Sequence, residues 1–240
     1  MKFRLLITLM AVMIGFGSTS HADELFTEKS MGGKFSANAG FVSEYLWRGL
    51  SQSGNGSPAA QGGFDFTHDS GFSLGVWGSN INFAGNLEMD VYGGFSKDLG
   101  NKITMDVGAI YYHYPGQANA ADLDFVEGSI GLGKDFGAFS GSAKISYSPD
   151  FTGSAGNATY LELGAGIPLG KIFTLNLHGG RQWMEENTTS GFDDYTDWSA
   201  GIGFAGAGFD FAVTYLGTDL PSGQCTNECS RLIASVGRSF

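Results

Sequence analysis

Apolar and polar residues alternate along most of the chain, in runs that are separated by turn signals. In the first run, Phe35 and Ala37 fall on one side, whereas Ser36 and Asn38 fall on the other. A period of two is that of a β-strand, because a helix repeats its apolar positions every three or four residues. The pattern predicts an all-β chain of about twelve strands, and about ten to fourteen are possible because one short connection is ambiguous. The strands are predicted at 34–48, 59–68, 71–81, 86–97, 102–114, 123–134, 138–148, 158–169, 172–183, 195–205, 208–217 and 230–240.

The connections between these strands alternate in length. Tight turns are predicted near 69–70, 98–101, 136–137, 170–171 and 206, and longer polar loops at 49–58, 115–122, 149–157, 184–194 and 218–229. An even number of antiparallel strands with short turns on one rim and long loops on the other is typical of an up-and-down transmembrane β-barrel. Phenylalanines gather at the turn end of the strands, and tyrosines and tryptophans, among them Tyr45 and Trp47, gather at the loop end. Two aromatic belts of this kind indicate two membrane interfaces.

The N-terminal residues have the layout of a secretory signal. Lys2 and Arg4 precede an apolar run that is too short to span a bilayer, and a small-x-small cleavage pattern follows it. We therefore predict a signal peptide at 1–22, a periplasmic segment at 23–33 and an outer-membrane β-barrel at 34–240. Loss of Lys2 and Arg4 changes the net charge from −11 to −13. That charge argues against nucleic-acid binding, since phosphates are bound by basic side chains.

The polar face of the predicted strands carries many ionisable groups. Unpaired charges are too costly to fill a dry core, so this face is expected to line a water-filled lumen. The pore-lining candidates are Glu44, Arg48, Asp65, Trp77, Glu88, Asp90, Tyr92, Asp106, Tyr112, Glu127, Lys144, Tyr160, Glu162 and Asp210. Carboxylates outnumber Arg48 and Lys144 among them, which favours cations or neutral solutes over anions. The alternative is that these carboxylates are paired within the wall and set little selectivity.

Other candidate chemistry is sparse. Cys225 and Cys229 lie four positions apart in a polar segment of an exported chain, which predicts a disulfide that closes a loop. Neither a metal site nor a cofactor is predicted, because no further Cys or His lies at ligand spacing. His178 with Asn176 is the one pair to consider for nucleophilic catalysis. Both fall on a lumen-facing strand, where lipid would not reach them, and no enzyme is predicted.

The segment 36–52, which ends in the motif Y-L-W-R-G-L-S-Q, resembles the opening strand of the TorF-type porins of proteobacteria. A Gly-Phe-Asp run at 63–65, a G-V-W-G-S-N run at 75–80 and the segments 88–95 and 111–115 extend the resemblance. It covers most of the chain after the signal peptide and is strongest in the first half. It implies an outer-membrane barrel with a porin function, and it implies no particular substrate.

The C-terminal strand ends in Phe240 and has apolar residues at alternate positions, which resembles the signature that the barrel-assembly machinery reads; Arg238 departs from it. The expected partners are this machinery, outer-membrane lipid and lipopolysaccharide, and no feature indicates an oligomeric state. The predicted function is a channel for passive diffusion of ions and small solutes. Two alternatives stay open: a plugged barrel with a structural or adhesive role, and an outer-membrane enzyme that hydrolyses lipids or peptides.

Overall fold

The computed structural model describes residues 28–54, 56–118, 122–186, 193–225 and 229–240. The predicted signal peptide lies outside these ranges. A short helix, α1 (Glu28–Met31), precedes the first strand, and no helix within the described ranges is long and apolar enough to cross a membrane. The strands are β1 (Gly33–Val42), β2 (Leu46–Trp47), β3 (Leu50–Ser51), β4 (Ala59–His68), β5 (Phe72–Asn80), β6 (Leu87–Gly100), β7 (Ile103–His113), β8 (Phe125–Asp135), β9 (Ser140–Ser148), β10 (Ala158–Leu169), β11 (Phe173–Met184), β12 (Tyr195–Gly206), β13 (Phe209–Thr218) and β14 (Ser230–Ser239).

Twelve of these strands, β1 and β4 to β14, form one closed antiparallel barrel. The barrel closes because β1 pairs with both β4 and β14. Its pairing with β4 extends from Gly33 to Val42, whereas its pairing with β14 covers only Asn38 to Val42. A closed sheet leaves no unpaired strand edge, which lipid would not tolerate. The predicted up-and-down barrel is confirmed, and every barrel strand overlaps a predicted one.

The alternation along each strand sorts side chains between an outer and an inner face. In β6, Leu87, Met89 and Val91 are between 40% and 53% exposed on the outside of the barrel. Their neighbours Glu88 and Asp90 point inward and are 2% and 5% exposed. Large apolar side chains are exposed in the same way on the other strands, so the outer surface is apolar around the barrel. A surface of this extent requires an apolar environment.

The first predicted strand, 34–48, is wrong in its second half. Strand β1 ends at Val42, and the chain then turns into the barrel, where β2 and β3 pair around Arg48 and Gly49. Both turn residues have a positive φ, 48° and 78°. Positive φ at both central residues is the geometry of a type I′ turn, whose twist matches that of a two-stranded hairpin. We refer to residues 44–54 as the inner hairpin.

Tyr45 and Trp47, which were predicted for the aromatic belt on the outer face, lie inside the barrel on the inner hairpin. The Tyr45 ring packs against Trp77, with centroids 5.6 Å apart, and the Trp47 ring packs against Tyr112 at the same distance. The prediction fails because β2 and β3 are strands themselves, so the alternation continues through them. A period of two identifies a strand and does not identify the strand with which it pairs.

Candidate functional site

The lumen contains a cavity of about 850 Å³. Trp47, Arg48 and Gly49 of the inner hairpin close its loop end. Its wall continues toward the turn end of the barrel, where it is lined mainly by hydroxyl side chains. These are Ser36, Thr67, Ser73, Ser96, Ser129, Ser142, Ser199, Thr214 and Ser239. The inner hairpin therefore separates a polar chamber from the loop end of the barrel.

The Arg48 side chain fixes the tip of the inner hairpin to the wall. Its Nη1 and Nη2 atoms donate to the two carboxylate oxygens of Glu127 at 2.8 and 2.7 Å, and Nη1 also donates to Gln182 Oε1 at 2.8 Å. The guanidinium lies 4.3 Å from the ring centroid of Trp47 and 4.0 Å from that of Tyr160. Burial alone would lower the pKa of Arg48, but the adjacent Glu127 carboxylate outweighs it and raises that pKa. Arg48 is therefore a permanent cation in a bidentate ion pair.

Two further polar contacts hold the base of the inner hairpin. The Glu44 carboxylate accepts from Arg231 on β14 at 3.0 Å and from the Ser51 hydroxyl at 2.5 Å. The Tyr45 hydroxyl donates to Glu88 on β6 at 2.7 Å. The inner hairpin is therefore tied by side chains to opposite parts of the wall, since its base meets β6 and β14 and its tip meets β8 and β11.

Apolar packing covers the inner hairpin on the loop side. The Trp47 ring lies 6.1 Å from Phe125 and 6.0 Å from Phe151, measured between centroids. The residues of this cluster come from strands and loops all around the barrel: Ile81, Tyr112, Tyr114, Phe125, Phe151, Ala155, Ala158, Met184, Tyr195 and Leu220. Cys225, which is bonded to Cys229 with Cα atoms 5.2 Å apart, packs against it. The loop end of the lumen is thus filled with side chains.

The backbone of the inner hairpin is independent of the barrel sheet. Leu46 and Trp47 pair with Ser51 and Leu50, and the Gln52 amide donates to the Tyr45 carbonyl at 2.8 Å. Within the described ranges, residues 44–51 form no backbone hydrogen bond with a barrel strand. The inner hairpin is therefore held in the lumen by its side chains and by one backbone hydrogen bond, from the Asn82 amide to the Gln52 carbonyl at 2.9 Å.

Charges in the chamber differ from one side of the wall to the other. On β9 to β12, Lys144 pairs with Glu162 at 2.5 Å. On β4 to β7, the Asp65 carboxylate accepts from the Tyr92 hydroxyl at 2.6 Å, and the buried Oδ2 atom of Asp106 has no hydrogen-bond partner. Neither aspartate pairs with a cationic side chain of the described residues. The β4 to β7 side of the chamber is therefore acidic.

A family model described as a bacterial protein of unknown function, Gcw_chp, matches residues 27–238. The chain belongs to this family. No curated protein matches the sequence of this Gcw_chp chain. The family description names no activity.

Solved structures share the fold of the Gcw_chp chain at low sequence identity. A KdgM porin superposes with a TM-score of 0.61 and 9% identity, covering 85% of this chain and 99% of that one. A KdgM porin in complex with disordered oligogalacturonate gives a TM-score of 0.59 with the same identity and coverage. The COG4313 outer membrane channel from Pseudomonas putida F1 gives 0.50 and 11% identity, covering 88% and 96%. At these identities the likeness establishes the barrel fold alone.

The predicted pore-lining residues of the Gcw_chp chain separate into three groups. The cavity is lined by Arg48, Asp65, Tyr92, Asp106, Tyr112, Glu127, Lys144, Tyr160 and Glu162. Glu44, Trp77, Glu88 and Asp90 point inward but lie outside the cavity lining, beside the base of the inner hairpin. Asp210 is exposed at the turn end, because β13 begins only one residue before it, and it lies outside the cavity lining. Its role as a pore-lining residue stays a prediction.

Several contacting residues were missed by the sequence-based predictions. One is Asp197, whose carboxylate lies 2.8 Å from the imidazole of His178 and accepts from the Tyr160 hydroxyl at 2.8 Å. Gln182 and Arg231 bind the two ends of the inner hairpin. The alternation places Asp197 on the inner face with Ser199, so that residue could have been found from the pattern.

One carboxylate holds the loop between β7 and β8 of the Gcw_chp chain. Asp124 accepts from the Tyr114 amide at 2.8 Å and from the Gln117 side chain at 2.7 Å, and its carboxylate lies 2.7 Å from the His113 imidazole. Burial alone would raise the pKa of Asp124, but the donors from Tyr114, His113 and Tyr111 outweigh it and lower that pKa. Because the pKa of Asp124 is lowered in the folded state, its ionised carboxylate stabilises the loop at pH values above the ordinary pKa of Asp. That stabilisation is lost as the pH falls through the lowered pKa.

We therefore expect the Tyr114, Gln117 and Leu123 amides to exchange faster at acid pH than at pH 7, after correction for intrinsic exchange rates. Hydrogen exchange followed by mass spectrometry measures this opening. The Asp124→Asn variant should exchange at the fast rate at both pH values. A variant that keeps the pH dependence of the parent would assign the effect to another group.

Proposed function

We propose that this chain is a porin-like outer-membrane channel for passive diffusion of ions and small solutes. The observation that carries the proposal is a chamber of about 850 Å³ with hydroxyl and carboxylate walls, enclosed by a barrel whose outer face is apolar. A polar chamber inside an apolar cylinder offers water and solutes a path that lipid denies them. The predicted signal peptide at 1–22 and the resemblance to TorF-type porins support the same location and role.

The chamber is proposed to favour cations or neutral solutes over anions. Three of the acids predicted to line the pore, Glu44, Glu127 and Glu162, are neutralised by Arg or Lys. Of the predicted acids that line the cavity, Asp65 and Asp106 lack cationic partners among the described residues, and selectivity is assigned to them. Unpaired carboxylates in a narrow lumen raise the local concentration of cations.

A planar-bilayer recording in a salt gradient tests both parts of the proposal. The reversal potential of the parent protein should indicate cation preference, and the Asp65→Asn/Asp106→Asn double variant should lose most of it. The Asp69→Asn/Asp98→Asn double variant is the matched control, because it removes two exposed acids of the turn end that lie outside the cavity lining. Equal reversal potentials in all three proteins would contradict the assignment of selectivity.

The aromatic cluster across the loop end favours a second candidate, a plugged barrel with a structural or adhesive role. A variant in which residues 43–58 are replaced by Asn-Gly distinguishes the two candidates by its conductance. Val42 and Ala59 face each other across β1 and β4, so a two-residue turn can join them. If this variant folds and neither it nor the parent protein conducts, the channel proposal is wrong.

A further inference from the structure

We infer that the inner hairpin is a gate, and that the ion pair between Arg48 and Glu127 is the latch that holds it shut. The inference rests on the proposed channel function and concerns its regulation. In the closed state, Trp47, Arg48 and Gly49 form the end of the chamber. In the open state, the inner hairpin leaves the lumen as a unit toward the loop end and joins the chamber to the outside.

The hydrogen-bonding pattern allows that movement without damage to the barrel. Residues 44–51 form no backbone hydrogen bond with a barrel strand within the described ranges. The inner hairpin has one backbone link to the wall, from the Asn82 amide to the Gln52 carbonyl at 2.9 Å, two residues before Gly54. The β1–β4 ladder already ends at Val42 and Ala59, so it is unchanged when the inner hairpin moves. A constriction built into the sheet would not have this freedom, because its displacement would break ladder bonds.

The polar contacts that would be lost are ones that water can replace, whereas the packing of Trp47 against Tyr112, Phe125 and Phe151 has to be broken. The tip is held by the Arg48–Glu127 ion pair and by Gln182, and the base by Glu44–Arg231 and Tyr45–Glu88. Charged and hydroxyl groups recover much of their lost interaction energy when they become hydrated. Two arrangements of similar free energy are what a switch needs. The latch is polar, and its removal should shift the balance toward the open arrangement.

The ends of the moving segment are defined by backbone features. The Ser43 amide donates to the Ala234 carbonyl on β14 at 2.8 Å, which fixes the chain just before the inner hairpin. At the other end, Gly54 and Gly56 both have a φ of 74°. Glycine accepts large changes of φ at low cost, so these positions can absorb the change of direction when the inner hairpin moves.

The first test removes the latch without leaving a buried charge. The Arg48→Gln/Glu127→Gln double variant is expected to raise the open probability in planar bilayers by about tenfold, the ratio that corresponds to the loss of one moderate interaction. The Arg181→Gln/Asp219→Asn double variant is the matched control. It also neutralises one ion pair, 3.5 Å long and near the loop end, that involves no residue of the inner hairpin. The control should conduct like the parent protein.

The second test locks the gate covalently in the latch-free protein. A Cβ atom on Gly49 would lie 2.3 Å from Thr218 Cγ2, close enough for a disulfide between cysteines at these two positions. Because Gly49 has a φ of 78°, a cysteine there is strained, and the reduced form of the same variant is therefore the reference. The Gly49→Cys and Thr218→Cys substitutions are added to the latch-free variant, with Cys225 and Cys229 both changed to Ser so that one disulfide can form. Oxidation should return the open probability to the parental level, and a reductant should raise it again.

The outcomes separate this inference from the proposed function. If the Asn-Gly replacement of residues 43–58 conducts strongly and the latch-free variant behaves like the parent protein, the inner hairpin obstructs the lumen without acting as a latched gate. If the parent protein already conducts as strongly as the Asn-Gly variant, the inner hairpin does not close the lumen. If no variant conducts although each migrates as a folded barrel, the channel function itself is wrong. An unchanged open probability on oxidation of the crosslink variant also overturns the gate.

Discussion

Replacement of Glu127 by alanine is expected to lower the free energy of unfolding of the barrel by about 3–5 kcal/mol. Arg48 and Glu127 have side chains that are only 8% and 4% exposed, and their bidentate pair compensates for the loss of hydration. Without Glu127 the guanidinium stays charged, because Arg cannot release its proton in a protein. The cost therefore arises mainly from an unpaired charge in a buried position, and less from the lost attraction.

A double-mutant cycle measured by urea unfolding in lipid vesicles tests this explanation. The Arg48→Ala/Glu127→Ala double variant should be more stable than the sum of the two single effects predicts, by about 1–3 kcal/mol. The Arg181→Ala/Asp219→Ala cycle serves as the control, and its coupling should be under about 1 kcal/mol because that pair is partly exposed. Additive effects in the Arg48 cycle would show that the two side chains act separately.

The Gly63→Ala variant is expected to unfold at markedly lower urea, with a loss of about 2–3 kcal/mol. A Cβ at Gly63 would lie 2.3 Å from the Val76 carbonyl oxygen and 3.0 Å from Trp77 Cα. Both are backbone atoms of the neighbouring strand β5, so neither can rotate away as a flexible side chain would. The methyl group would force β4 and β5 apart where they are paired.

The Gly128→Ala variant provides the comparison for Gly63→Ala. Gly128 also lies within a barrel strand, but no heavy atom lies within 4 Å of the position that its Cβ would occupy. Its unfolding free energy should change by less than about 0.5 kcal/mol. Equal urea midpoints for the two variants would mean that the sheet accommodates the methyl group at Gly63.

The barrel could be predicted from the sequence because its signals are local. Alternation identifies each strand, and the alternation of short turns with long loops identifies the topology. The inner hairpin escaped prediction because Tyr45 and Trp47 continue the spacing of two that Phe35, Ala37, Ala39 and Phe41 set in β1. Its turn is formed by Arg48 and Gly49, and arginine is not among the residues that usually mark a type I′ turn. With that turn recognised, Trp47 and Leu50 would pair within one hairpin.

The inward placement of the carboxylates could be predicted from the alternation along each strand, but their partners could not. The curvature of the closed wall brings Arg48 onto Glu127 and Gln182, which lie 79 and 134 positions further along the chain. No local pattern encodes such a meeting. Alternation also does not show how far along the barrel axis a residue lies. Asp210 therefore appeared equivalent to Asp65, although Asp210 lies at the rim of the turn end.

The position of the inner hairpin near the start of the chain determines when it can dock. Glu44 meets Arg231, which follows it by 187 positions, and the partners of Arg48 lie on β8 and β11. Contacts over such long separations form late, because long stretches of chain must first be brought together. During assembly we expect the inner hairpin to stay hydrated and without its partners until β14 has paired with β1. We therefore expect the loop end of the lumen to be filled only after the wall of the barrel has closed.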